Sequence, residues 1–230
     1  MLFSQHSATI NEEVLALNVY ERMKQALITG KYKPGDRLTE EALTEEWKVS
    51  RTPIRSALKQ LEFDGLITPL KRGYIVRSFS QNDIRQIYDV RSLLEGYAAS
   101  LSAIHRTEQD LSDMHKANED FKTIIMSRGT NKTEHIQDVL KKNHKFHDTV
   151  IRASKDPHTE DLIRKVVVLP LVFHSFYWFE QRGLEQSFEL HEVIIRAIED
   201  QDSARARSAM HEHIYQGRDR VLEQLKRSDL

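Results

Sequence analysis

Residues 45–67 read EEWKVSRTPIRSALKQLEFDGLI. The stretch has the pattern of two short helices joined by a tight turn. Ser50 sits at the N-cap of the second helix, where its hydroxyl is expected to accept a bond from the amide at the second or third helical position. Pro53 falls in the first turn, where amides lack intrahelical partners and proline costs little. Ile54, Ala57, Leu58 and Leu61 form one apolar stripe, while Arg51, Arg55 and Lys59 recur at a spacing of four on another face, with Thr52 beside them. The helix therefore offers one face to a core and a cationic face at its N-terminal end, which also carries the positive pole of the helix dipole. That end favours anions, and it is the end that enters the DNA major groove in a helix-turn-helix. Arginine can read guanine with two hydrogen bonds, and short hydroxyl residues can hold phosphate. The plainer reading of the helix alone is an amphipathic element with a solvated charged face.

The flanking sequence decides between them. Val14, Leu15, Leu17, Tyr20, Met23, Leu27 and Ile28 recur at helical spacing over residues 11–30, Gly30 ends that helix, and KYKPGD makes a turn. A short helix follows over 39–47, and the helix from Arg51 runs to about Asp64, stopped by Gly65. LITPL and GYIVRSF, separated by Lys71 and Arg72 before Gly73, read as a hairpin whose proline, Pro69, suits an edge strand. Three helices and a hairpin in under 80 residues shift the reading toward a winged helix-turn-helix.

The net charge of -1 gives no general sign of nucleic acid, but its distribution does. Residues 1–47 hold 5 Lys+Arg against 8 Asp+Glu, whereas residues 48–77 hold 7 against 2. At 39% hydrophobic the chain is too apolar for disorder. It has no cysteine, which excludes disulfide and thiolate chemistry. The N-terminal residues lack the basic start and apolar core of a signal peptide. The longest apolar run, VVVLPLVF at 166–173, falls far short of the ~20 residues that span a bilayer. A cytoplasmic protein with no membrane partner is expected.

From Ser80, a plausible N-cap, the pattern is helical throughout. A helix of about 25 residues is followed by others over 108–128, 133–154, 157–179, 186–200 and 202–227, with SRGTNKT and EQRGLEQ as the clear loops and a kink expected at Pro170. The fold class is thus mainly α: a winged helix-turn-helix domain over 1–77 and an all-α bundle over 78–230. Ten of the eleven histidines lie from His105 onward. His147 shares the inward sector of Phe146, Val150 and Ile151; His191 shares that of Ile194, Ile195 and Ile198; His213 shares that of Ala206, Met210 and Gly217. A lone histidine on an apolar face is ordinarily a hydrogen-bonded core residue. Three on three helices make a common site more plausible, because imidazole is a frequent metal ligand.

PGDRLTEEALTEEWKVSRTPIRSALKQLEFDGLITPLKRGYIV, residues 34–76, resembles the DNA-binding domain of the GntR family of bacterial transcription regulators. The resemblance implies DNA contacts by Ser50, Arg51, Thr52 and Arg55, with Gly73 at the wing tip; Lys71 and Arg72, at that hairpin tip where no core needs them, are expected on phosphates or in the minor groove. Lys48 stands where a glycine is common in the turn, and Glu41 stands where some members carry a DNA-contacting arginine, so no contact is carried onto Glu41. Residues 81–227 resemble the six-helix version of the FadR-type (FCD) effector domain, with DVRSLLEGYAA at 89–99 matching its opening helix. That likeness implies a divalent metal, taken as zinc, held by His147, His191 and His213, with Asn143 in the place of the family's usual aspartate. It also implies an effector site that uses Arg91 and Asn143, although Arg91 spaced four from Glu95 is equally the pattern of a surface ion pair. His144, beside Asn143, points to a different part of the helix surface.

The expected function is a ligand-responsive regulator, by family habit a repressor, that binds palindromic operator DNA as a homodimer and answers to a small carboxylate. The alternative is a metal-dependent hydrolase built on His147, His191 and His213. It lacks a compact signature such as HExxH and leaves the N-terminal domain without a purpose.

Overall fold

A computed structural model describes residues 16–127, 132–172 and 181–228 of the chain. The chain divides into two compact units, residues 1–79 and 80–230.

In the first unit, helix α1 covers residues 16–28. Strand β1 (Arg37–Leu38), helix α2 (Glu40–Trp47), helix α3 (Arg51–Phe63) and strands β2 (Ile67–Pro69) and β3 (Tyr74–Val76) follow. The core joins Val19, Met23 and Leu27 of α1 to Leu43 of α2 and to Ile54, Ala57, Leu58 and Leu61 of α3, so the expected stripe of α3 is the buried one. Leu17, expected among the inward residues, is 61% exposed, while Val14 and Leu15 lie outside the described residues. Thr39 caps α2 by accepting from the Ala42 amide, and Lys48 ends it in the left-handed region at φ 55°. That conformation suits glycine better, and here it turns the chain sharply into α3.

Ser50 is the N-cap residue of α3, but its side chain makes no capping hydrogen bond. Of the two amides it could have capped, the one at the third helical position is missing because Pro53 stands there, and the Thr52 amide at the second makes no bond to it. The expected cap is therefore absent, and the exposed Ser50 hydroxyl stays available at the helix end.

The sheet has the antiparallel order β1-β3-β2, with Arg37 opposite Ile75 and Thr68 opposite Ile75 on the other side. Pro69 lies in an edge strand, where its missing donor breaks no ladder bond. Strand β1 was not foreseen, because two residues carry no readable alternation. It presses on the hairpin tip: Gly73 has φ +81°, and a Cβ there would meet the Leu38 carbonyl oxygen at 2.5 Å.

The second unit holds α4 (Gln81–His105), α5 (Glu108–Met126), α6 (Lys132–Ala153), α7 (Pro157–Val172), α8 (Gln181–Glu199) and α9 (Ser203–Ser228). Ser80 and Asp83 form a reciprocal capping box on α4, as do Thr107 and Asp110 on α5. Helix α4 is the axis of the bundle and packs against α6, α7, α8 and α9. Helix α7 continues past Pro170 to Val172, and the rest of the expected 157–179 helix lies outside the described residues, as do residues 128–131 of the expected SRGTNKT loop.

The loop expected at EQRGLEQ is instead helical from Gln181. Gly183 lowers helix propensity by about 1 kcal/mol relative to alanine. Tertiary contacts override it: Arg220 donates from Nη1 to the Gly183 carbonyl at 2.7 Å and from Nη2 to Gln186, and Leu184 packs with Phe121, Ile125 and Val139.

Gly73→Ala should destabilise the hairpin by about 1 kcal/mol or more, through both φ and the clash with the Leu38 carbonyl. Faster amide hydrogen exchange at residues 36–38 and 74–76 is the expected readout.

Candidate functional site

Two groups of residues stand apart from ordinary packing. The first is the outer face of α3 and the hairpin tip. Ser50, Arg51, Thr52 and Arg55 are all exposed, as are Lys71 and Arg72. The tip turn is closed by the Leu70 amide donating to the Gly73 carbonyl, and Arg37 holds it from β1 by donating to the Arg72 carbonyl at 2.9 Å. The backbone is thus fixed while the Lys71 and Arg72 side chains remain outside. Arg55 is engaged: its Nε and Nη2 donate to the two carboxylate oxygens of Glu40, each at 2.9 Å. Hydrogen bonds from Arg55, against the opposing effect of burial and with the charges of Arg55, Arg51 and Lys59, hold the Glu40 carboxyl below its usual value.

The second group lies inside the C-terminal unit. His147 of α6, His191 of α8 and His213 of α9 are 3%, 0% and 7% exposed, and one nitrogen from each lies within 4.8 Å of the others. The inward sector read for each of them is the buried one. His147 Nδ1 lies 2.6 Å from Glu95 Oε2, and the other Glu95 oxygen accepts from Arg91 Nε at 2.5 Å. A carboxylate accepts only, so His147 carries its proton on Nδ1 and turns the Nε2 lone pair inward. His191 Nδ1 lies 2.9 Å from Asn118 Oδ1. The Asn118 amide nitrogen is committed to Glu192 at 2.5 Å, which leaves its oxygen to accept from His191. His191 Nε2 is then also a bare lone pair, and it is buried with no partner. Phe146 stacks on the His191 ring at 3.7 Å between centroids and fixes its plane. His213 Nε2 lies 3.1 Å from His147 Nε2, and its Nδ1 has no partner.

Burial, then the neighbouring histidines, pushes His191 well below the ordinary imidazole value; burial and His147 do the same to His213. Both are neutral near pH 7. Burial would raise the Glu95 carboxyl, but Arg91 and then His147 outweigh it and hold the group far below the usual carboxylate range.

Asn143 lies one turn before His147 on α6, is 8% exposed, and has a buried Oδ1 with no partner. His144 is half exposed and faces Asp148 at 3.7 Å, so it does not join the cluster. Arg91 does pair with Glu95, but as a buried rather than a surface ion pair, its side chain 13% exposed. Three contributors escaped the sequence reading. Glu40 had no marker. Glu95 was seen only as a partner of Arg91. Asn118 had a signal, since it occupies a core position of α5 in register with Leu111, Met114, Phe121 and Ile125.

The chain matches the model of the bacterial regulatory proteins, gntR family, over residues 15–74, and that of the FCD domain over residues 86–216. The chain belongs to the gntR family of bacterial regulatory proteins, with an FCD domain.

A gntR-family relative, the Bacillus subtilis (strain 168) gluconate operon transcriptional repressor, is 28% identical over 213 residues, 89% of this chain and 84% of its own. The Bacillus subtilis (strain 168) regulator YdhC is 33% identical over 151 residues, and that match spans 65% of either chain. The HTH-type transcriptional repressor GlaR of Escherichia coli (strain K12) is 26% identical, with 87% and 93% covered. Among solved structures, E. coli McbR/YncC has the same fold at a TM-score of 0.77, with 23% identity and 92% and 98% of the two chains covered. The chain is therefore a DNA-binding transcription regulator of the gntR family and not an enzyme, and the hydrolase reading finds no support. No helix among the described residues is long and apolar enough to cross a membrane.

Glu95→Ala should destabilise the C-terminal unit by about 3 kcal/mol or more, because it leaves the Arg91 guanidinium buried without its counter-charge. Urea unfolding at neutral pH measures it, and a change below about 1 kcal/mol would show that the bridge holds little of the fold.

Proposed function

We propose that this regulator is a cytoplasmic homodimer that represses transcription from a palindromic operator and is controlled by a small carboxylate bound at a metal-holding histidine centre in residues 78–230. The observation that carries this reading is the set of buried lone pairs without partners, His191 Nε2, His213 Nδ1 and Asn143 Oδ1, beside an inward-turned His147 Nε2. Buried polar atoms are ordinarily partnered, so a cluster of unpartnered ones on facing helices supports a ligand between them. A divalent cation, zinc by the chemistry of three imidazole donors, fits the donor set of His147, His191 and His213, with Asn143 beside them. When bound, the cation supplies an electrophilic anchor for a carboxylate oxygen. The protein's own share is orientation: Glu95 and Asn118 fix two imidazoles, and Asn143, being neutral, leaves positive charge for an anionic effector to balance. Arg91 adds positive charge from the same wall, offset in part by Glu95. The effector acts by its differential affinity for DNA-competent and incompetent states.

Ser50, Arg51, Thr52 and Arg55 are proposed to enter the major groove, with Lys71 and Arg72 on phosphates and Gly73 permitting the tip turn. A dimer is supported by an exposed apolar stripe along α4, formed by Val90, Leu93, Tyr97 and Ile104 at helical spacing. Repression is supported by relatives that are named repressors.

Arg51→Ala and Arg55→Ala should each weaken binding to a selected operator by about tenfold or more at matched salt. Replacing Lys71 and Arg72 with Gln should weaken binding to any duplex and flatten the salt dependence by about 0.9 per lost phosphate contact. Unchanged affinity in both arginine variants, or an unchanged salt slope, contradicts these assignments. For the centre, elemental analysis of tag-free protein should give near-stoichiometric metal that is lost in His191→Ala. Wild-type protein that stays metal-free after zinc titration would overturn the metal reading.

A further inference from the structure

The cationic face of α3 has a carboxylate set into it. Glu40, in the first turn of α2, meets Arg55 through a two-point contact, Nε to Oε1 and Nη2 to Oε2, each at 2.9 Å. Arg51 and Lys59 on the same face make no ion pair among the described residues, so Arg55 is singled out.

We propose that Glu40 is a positioning residue for sequence readout, gripping one edge of the Arg55 guanidinium so that the opposite edge is presented to a base in fixed orientation. The proposal rests on the reading that Arg55 contacts DNA.

A guanidinium carries five N–H donors in a rigid fork. Glu40 takes the edge formed by Nε and one hydrogen of Nη2. The end formed by Nη1 and Nη2 remains, two parallel donors matching the O6 and N7 acceptors of guanine. The grip is itself fixed, because Glu40 belongs to a helix capped by Thr39, and Thr44 Oγ1 donates to the Glu40 carbonyl at 2.6 Å. Two simpler reasons for the carboxylate fail. An ion pair with Arg55 57% exposed contributes little to folding in water. A negative charge among three cations weakens attraction to phosphates rather than strengthening it. What a carboxylate adds here is a single orientation for a long side chain that otherwise explores many, and orientation bears on discrimination between bases more than on affinity for DNA.

The test uses the full chain, a duplex selected from a randomised pool by the wild-type protein, and a scrambled duplex of equal length and composition, at one salt concentration. Glu40→Gln, Arg55→Ala and the double variant are compared, with thermal midpoints checking folding and Glu40→Asp, too short to reach Arg55, as a second disruption. The ratio of selected to scrambled affinity should fall about tenfold in Glu40→Gln, while binding to scrambled DNA holds or tightens as a negative charge is removed. In the Arg55→Ala background, Glu40→Gln should leave the ratio unchanged. If Arg55→Ala lowers the ratio but Glu40→Gln and Glu40→Asp do not, or if they strengthen binding to both duplexes equally, the positioning role is wrong. If Arg55→Ala leaves the ratio unaltered, the base-contact reading fails, and the positioning role with it.

Discussion

The C-terminal unit is organised around one buried carboxylate. Glu95 is fully enclosed, a position that ordinarily favours a neutral acid. It stays ionised because Arg91 meets one oxygen and His147 the other. That bridge ties α4 to α6 in one register, and α4 is the helix against which α7, α8 and α9 also pack. It also sets the tautomer of His147 and so decides which atom faces the centre. The Glu192–Asn118–His191 chain repeats the arrangement from α5 and α8. A bundle held only by apolar contacts would tolerate small rotations of these helices. Two short polar bridges do not, because each lost bond would leave a buried group unpartnered.

The N-terminal unit applies the same chemistry at its surface. Its core residues on α3 are sealed, and its basic residues are left outside on a helix end whose amides favour anions. Pro53 contributes twice. It is tolerated in the first turn of α3, and it removes one of the two amides that the Ser50 hydroxyl could have capped. Carboxylates steer cationic or imidazole groups in both units, Glu40 acting on Arg55 and Glu95 on His147.

Much of this was legible in the sequence, because it is carried by local signals. The spacing of Ile54, Ala57, Leu58 and Leu61 gave the buried face of α3; Ser80 gave the start of α4; the inward sectors of three helices gave His147, His191 and His213. Where local signals were weak or misleading, the reading missed. Strand β1 is two residues long. Gly183 reads as a loop and is overridden by Arg220, 37 positions away. The Ser50 cap is absent although the residue type favours it, and Pro53 removes one of its two possible donors. The partners that organise the sites are distant in sequence: Glu95 is 52 residues from His147, Asn118 is 73 from His191, and Glu40 is 15 from Arg55. No periodicity reports such pairs.

The claim that buried partners aim imidazole lone pairs into a common centre is tested most directly by nitrogen-15 NMR of the histidine side chains in metal-stripped protein, followed through a zinc titration. The account predicts that His147 and His191 carry their protons on Nδ1, and that zinc shifts the Nε2 resonances of both in step, at one equivalent. Protons found on Nε2, or resonances that zinc leaves unmoved, would contradict it.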